Sequence, residues 1–394
     1  MINYEKQIVN ERVEIMKKFT AYFCALACAA SLLMPAANIS TAETVSAKTV
    51  SIMSTTTGGE ITIPVISDTN DTSYETYQGT IGESSTITYT FHLSKPIYFI
   101  GNTAASLASG SIYYEISDAA GTLYCNASNS SSYPTGQFSK KYLPTGDYQL
   151  TVRSSANTSG EYVIQAFGYD ASTSGTIKEK TIYTGYNNSE VWKKIKITKN
   201  GCLAVGAQMF SFNSSGETST YGNNVTLYNS KKKAISNSNY TSSSNEYMTY
   251  YGVKKGTYYI KISGKGLYNI TAHVAKKAAI PATTKAKAKK VTSSTKYYVM
   301  PASTKKSSAW FKFTISKPKK VTLTTSYIGD YSLDVKIYKG SKSVDSFKLY
   351  NNDKKGRYYS NFLTGKEVTW PKGVYYVKVT KTKTDSGIVG VNIK

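Results

Sequence analysis

Three stretches of this chain carry the same strand-like blocks in the same order, and no other feature narrows the possible folds as far. The opening block reads Tyr89-Thr90-Phe91-His92-Leu93-Ser94-Lys95-Pro96, then Lys193-Lys194-Ile195-Lys196-Ile197-Thr198-Lys199-Asn200, then Phe311-Lys312-Phe313-Thr314-Ile315-Ser316-Lys317-Pro318. Apolar and polar residues alternate until a turn breaks each copy, which is the pattern of a half-buried strand. The predicted inward faces are Tyr89/Phe91/Leu93, Ile195/Ile197 and Phe311/Phe313/Ile315. A middle strand recurs at 112–118, 225–230 and 335–340, each followed by turn residues. The third block is the most specific. It reads Leu143-Pro144-Thr145-Gly146-Asp147-Tyr148, Val253-Lys254-Lys255-Gly256-Thr257-Tyr258 and Trp370-Pro371-Lys372-Gly373-Val374-Tyr375. Its glycine is expected at a positive φ in a tight turn, with the tyrosine starting the returning strand. A last strand closes each unit near Tyr162-Val163-Ile164, Tyr268-Asn269-Ile270 and Ile388-Val389-Gly390-Val391.

Each unit is about the size of one sandwich domain. The chain is rich in Thr, Ser, Gly and Asn and contains 35 tyrosines, a composition that favours strands and turns over helices. The expected class is all-β, with three tandem antiparallel β-sandwich domains. The expected boundaries are 73–170, 171–275 and 293–394. The stretches 48–72 and 276–292 are expected to be linkers; the second is rich in Ala, Thr and Lys.

The repeats resemble the bacterial pre-peptidase C-terminal domain family. The resemblance rests on the aromatic opening strand Trp310-Phe311-Lys312-Phe313-Thr314-Ile315, the central Val335-Lys336-Ile337-Tyr338, and the closing hairpin from Pro371 to Val379. The second repeat lacks the hairpin proline, and the first has Asp147-Tyr148-Gln149 where the others carry an aromatic pair. The resemblance implies a jelly-roll-like sandwich acting as a non-catalytic accessory or binding module. A shared fold does not name a ligand.

The N-terminal region reads as a secretory leader. Met16-Lys17-Lys18 is followed by an apolar run from Phe19 to Ala37, with small residues at Ser40-Thr41-Ala42 and Val45-Ser46-Ala47 as cleavage sites. Residues 1–15 do not fit a leader, and Met16 is the expected start. No later apolar run is long enough for an anchor, so the expectation is export, with any attachment to the cell non-covalent. Cys125 and Cys202 remain after cleavage, at non-equivalent positions, and are expected to be buried thiols rather than a disulfide framework.

The inventory of reactive residues points away from an enzyme. The two histidines are His92, on the outward side of an opening strand, and His273, on a last strand. No Gly-x-Ser-x-Gly elbow or His-Glu-x-x-His motif is present, the mature chain has no Cys-x-x-Cys, and acidic residues are sparse in the second and third repeats. No catalytic group, cofactor or metal site is expected. The oxygen-rich Asp68-Thr69-Asn70-Asp71, with Glu75 nearby, matches no defined calcium loop and reads as solvated linker.

Charge is distributed unevenly. The net charge is −5 over residues 48–170, +11 over 171–277 and +18 over 278–394. Nearly all of the excess is lysine, a hydrated point charge, rather than arginine, which favours bidentate recognition of phosphates and bases. This points away from specific nucleic-acid binding and towards diffuse attraction to a polyanion, such as the teichoic acids and glycans of a cell wall. The competing expectation is that lysines merely solubilise strand faces and guard edges. Trp192 and Trp310 occupy the same place in repeats two and three, on the side opposite the core, where repeat one has Thr88. Outward indoles can stack on sugar rings, although cover by loops or a neighbouring repeat is the more ordinary fate of a large aromatic. Trp192, Trp310 and the paired cations Lys319 and Lys320 are therefore the candidate ligand contacts. Trp370 aligns with Leu143 and Val253 and is expected in the core. The expected function is a secreted or surface-retained binding protein for carbohydrate or wall polyanion. The alternative is an adhesin for a host protein such as a mucin, a matrix protein or an immunoglobulin.

Overall fold

The computed structural model describes residues 52–54, 58–67, 74–212, 218–242, 247–350, 362–363, 369–382 and 384–394. The predicted leader and the Asp68/Asn70/Asp71 cluster lie outside them. Among the described residues the chain is all strand and connection, with no helix.

Alternation decides the front layer of each sandwich. The opening strands Thr86–Leu93, Glu190–Ile197 and Ser307–Ile315 pair antiparallel with the closing strands Gly146–Ser154, Gly256–Ser263 and Gly373–Lys381. The closing strands pair in turn with the middle strands Ser111–Asp118, Asn224–Asn229 and Ser332–Lys339. A short strand lies parallel to each opening strand at equivalent rungs, so that Gly59, Gly175 and Lys289 face Tyr89, Lys193 and Phe311. All three front sheets have five strands in one common order. The predicted inward residues are buried in every copy.

A second sheet covers each inward face. Its central strand is the predicted last strand: Gly160–Asp170, Gly266–Lys277 or Gly387–Ile393. Beside it lies the strand that follows the opening one: Ile97–Leu107, Gly201–Phe212 or Leu323–Gly329. Between the layers are three separate apolar cores, one per sheet pair. By contact density the chain divides into two compact units. One holds the first sandwich; the other holds the second and third.

The closing hairpins show why their tyrosine recurs. The Tyr148 hydroxyl donates to the Pro144 carbonyl at 2.9 Å, Tyr258 to Lys254 at 2.9 Å, and Tyr375 to Pro371 at 2.7 Å. Each bond ties the start of a strand back across its own corner, and the Tyr148 and Tyr375 rings stack on Phe91 and Phe313. Gly146 and Gly373 have the expected positive φ, 152° and 158°, whereas Gly256 does not. The feature common to all three corners is the tyrosine hydroxyl bond.

The two stretches expected to be exposed linkers are built into sandwiches. Ile61, Ile63 and Ile66 are buried, and Val65–Ile66 pairs with the last strand of the first sandwich. In the 276–292 stretch, Lys276 and Lys277 complete the last strand of the second sandwich. The Ala279 amide then bonds to the Tyr297 carbonyl and the Trp310 amide to Ala282, both at 2.8 Å. Ala282, Ala288 and Val291 are buried. Alanine gives no strong periodic signal, but its small side chain lets backbone lie against backbone.

The second and third sandwiches also share a contact. Cys202, Val299 and Ile388 form a small apolar cluster joined by half-buried Tyr250 and Ile328. A Cβ on Gly252 would stand 2.2 Å from the carbonyl oxygens of both Gly387 and Met300, so this approach admits only glycine. Beside it, half-buried Asp330 of the third sandwich accepts from Asn239 Nδ2 at 2.8 Å and from Thr249 Oγ1 at 3.2 Å, both in the second. Burial pushes the Asp330 carboxyl up to about 7 against these hydrogen bonds, which favour its charged form.

Candidate functional site

Trp192 and Trp310 lie, as strand alternation requires, on the outward face of their front sheets, each opposite a lysine. One rung of the second sandwich runs Trp192–Lys261–Thr226 and a neighbouring rung Lys194–Tyr259–Tyr228. The corresponding rungs of the third run Trp310–Lys378–Lys336 and Lys312–Tyr376–Tyr338. In the first sandwich the same places hold Thr88–Thr151–Glu115 and Thr90–Gln149–Ser117. Five of six positions are thus identical between the second and third faces, and none of the six matches in the first.

Side chains on these rungs form an ordered cation–aromatic array. Trp192 packs on Tyr228 with ring centroids 4.6 Å apart. The Lys261 ammonium lies 5.8 Å and that of Lys232 5.3 Å from the centre of the Trp192 ring; Lys232 is also 5.3 Å from that of Tyr259. Lys261 additionally pairs with Glu190 at 2.5 Å, and this hydrogen bond raises the ammonium above its ordinary range. In the third sandwich Trp310 lies 5.8 Å from Tyr338, with the Lys378 ammonium 5.3 Å from its ring. Lys285 lies 4.7 Å from Tyr376 and 5.9 Å from Tyr338, and donates to the Gly340 carbonyl at 2.6 Å. The cation beside the tyrosines comes from the hairpin after the middle strand in the second sandwich and from the 276–292 stretch in the third. Two different backbone routes supply the same charge to the same place.

Both indoles are half-buried, held by backbone bonds to Thr173 and Ala282 and flanked by lysine stems. This lies between the two expectations of open stacking platform and full cover. Lys319 and Lys320 are exposed but belong elsewhere. They form a two-stranded ladder with Trp370 and Thr369, beyond the far end of the opening strand. Five residues of strand separate Trp310 from that end, roughly 17 Å. Trp370 itself is half-buried and packs its ring against Phe313 and Tyr375 at the rim of the core. The residues that sequence reasoning misses are Lys261 and Lys378, Tyr259 and Tyr376, and Tyr228 and Tyr338. Aligning the closing and middle blocks by outward position, in the same way as the opening block, picks them out.

The remaining polar chemistry is dispersed. His92 is exposed and its Nδ1 lies 2.6 Å from Asp147 Oδ1. His273 is half-buried, and burial, reinforced by Lys180, lowers its pKa against the pull of Glu179. Cys125 and Cys202 are both buried and free, and burial raises both thiols, Cys125 to about 12. Among the described residues no group of three His, Cys, Asp or Glu side chains is placed to hold a metal ion.

No protein-family model matches the chain, and no curated protein does. Among solved structures, the pre-peptidase C-terminal domain of a collagenase from Bacillus anthracis is 15% identical, with a TM-score of 0.22; the match covers 28% of this chain and 96% of that one. The insecticidal delta-endotoxin Cry8Ea1 of Bacillus thuringiensis is 9% identical over 80% of this chain and 54% of its own, with a TM-score of 0.19. A cycloisomaltooligosaccharide glucanotransferase from Paenibacillus sp. is 10% identical over 50% of this chain and 44% of its own, with a TM-score of 0.15. This chain thus spans about half the length of the latter two proteins.

Proposed function

We propose that this is a non-catalytic, exported binding protein that is held to the cell surface by its basic second and third sandwiches, through a polyanionic glycan of the wall. The observation that carries the reading is the charge gradient, −5, +11 and +18 along the chain, built almost wholly from lysine. Charge of this kind attracts an extended polyanion without demanding one geometry. The closing hairpins, with their recurrent tyrosine corner, support reading the sandwiches as accessory modules of the pre-peptidase C-terminal type. The acidic first sandwich, at −5, adds nothing to that attraction.

The test is binding of the protein to purified wall and to mucin, across a series of salt concentrations. The expected result is wall binding that weakens steeply as salt rises, because exposed ion pairing is screened. Wall binding that persists in molar salt would remove the electrostatic basis. Salt-resistant capture of mucin without wall binding would replace it with the adhesin reading.

A further inference from the structure

We infer that the two Trp–Lys–Tyr faces are equivalent ligand sites, and that the protein binds one phosphodiester-linked, sugar- or polyol-bearing polymer bivalently through them. This inference rests on the polyanion reading above and names its site and ligand class.

Three observations carry it. The first is the pattern of divergence between repeats. Outward strand positions face solvent and are usually free to drift. Yet the Trp, both Tyr and two Lys are shared by the second and third faces and absent from the first. The sandwich itself does not require them, because the first sandwich builds the same five-stranded sheet with Thr, Gln, Ser and Glu in those places.

The second is preorganisation. A surface lysine ordinarily loses rotamer freedom when it binds an anion. Here Lys232, Lys261, Lys285 and Lys378 already lie against aromatic rings, at centroid distances from 4.7 to 5.9 Å. Part of the ordering cost is met before any ligand arrives, and the rings shield one side of each ammonium from water. The Lys285 route is the clearest sign. In the third sandwich the cation on these rings comes from another segment: Lys285 reaches the tyrosines and bonds to the Gly340 carbonyl of the hairpin.

The third is the chemistry of the donors. The cations are compact ammonium groups rather than planar forks, which suits phosphate recognised as a point charge. Evenly spaced single charges, as along a phosphodiester polymer, match single ammonium groups along a sheet face. The half-buried indoles offer an edge against which sugar or polyol carbons can rest. Two such faces on one chain turn the second contact into an intramolecular event.

The test uses the full-length protein and the variants Trp192→Ala, Trp310→Ala and the double change, with Trp192→Tyr/Trp310→Tyr as the conservative pair. The probes are purified wall carrying its phosphodiester polymer, the same wall stripped of phosphate by hydrofluoric acid, and a carboxylate polysaccharide. Thermal unfolding establishes that each variant is folded. On phosphate-bearing wall each single alanine variant is expected to lose about tenfold in affinity, and the double variant far more than either, because avidity is lost with the second site. The tyrosine pair is expected to keep most of the binding. A short oligomer of the polymer should bind with two per chain in wild type and one per chain in each single variant. Unchanged wall affinity in the double alanine variant, alongside salt-sensitive wild-type binding, would overturn these sites and leave the polyanion reading standing. No wild-type binding to either wall at low salt would overturn both. Equal or tighter binding to stripped wall or to the carboxylate polymer would overturn the phosphodiester assignment.

Discussion

The front sheets of the first and third sandwiches have the same strand order, equivalent registers and the same tyrosine corner, yet their outward faces carry unlike chemistry. Inward, Tyr89, Phe91 and Leu93 answer to Phe311, Phe313 and Ile315. Outward, Thr88 and Thr151 stand where the third has Trp310 and Lys378. A strand whose side chains alternate between faces holds two nearly independent records. The inward one keeps the core, and the outward one is free to acquire or lose a ligand. All three tryptophans lie in the unit that holds the second and third sandwiches, so indole fluorescence reads that unit alone.

The largest effect is expected where the two basic sandwiches touch. Gly252→Ala places a methyl 2.2 Å from two backbone oxygens that no rotamer change can move. A loss on the order of 3 kcal/mol or more is expected, seen as an early indole-fluorescence transition. A variant that unfolds like wild type would show that the close approach is dispensable.

Next in size is the pH dependence of Asp330. Its folded pKa, raised from 3.8 to about 7, means that the folded chain holds this proton more tightly than the unfolded chain does. The contribution of this group to stability is therefore greatest below pH 4, falls as pH rises to about 7, and is flat above. At about 1.4 kcal/mol per pKa unit the change amounts to a few kcal/mol. Asp330→Asn should flatten that slope and stabilise the protein at pH 8, as read by denaturant unfolding at a series of pH values. A slope unchanged by the substitution would assign the pH dependence to other groups.

A graft sharpens the comparison of faces directly. Thr88→Trp, Thr151→Lys and Gln149→Tyr together should give the first sandwich part of the missing array and raise affinity for phosphate-bearing wall about tenfold, by adding a third contact. No gain, with the graft folded, would show that the first sandwich lacks something more than these side chains.

The smallest effects belong to the corners. Tyr375→Phe and Tyr148→Phe should each cost about 1 kcal/mol in thermal or denaturant unfolding. Tyr258→Phe should cost less, since its bond to Lys254 is solvent-exposed. Equal losses at all three would mean that ring packing, not the hydroxyl, sets the corner.

Much of the front layer is legible in the amino-acid pattern. Opening, middle and closing strands fall where the alternating blocks place them, and the inward set is buried as expected. The strands Ile97–Leu107, Gly201–Phe212 and Leu323–Gly329 leave no such trace. They are buried on both faces over much of their length, so residues such as Ala104-Ala105, Ala204 and Ser326 break the alternation that reveals a half-buried strand. The candidate site is half legible. Alternation alone puts both indoles outward, whereas Lys319 and Lys320, close to Trp310 in sequence, lie beyond the turn and pair with Trp370 and Thr369.

Repeated half-buried strands, the side of each strand that is core, and the build-up of positive charge towards the C-terminus can all be read from the order of residues. Those properties are local or additive: a period of two and a sum of charges need no knowledge of what lies across the sheet. Sheet pairing is what brings particular lysines beside the indoles, makes Ala282 interior, and sets Asp330 against Asn239 and Thr249. These are contacts between residues far apart in the chain, made by side chains too small or too polar to announce their burial. They exist only once the sheets have paired.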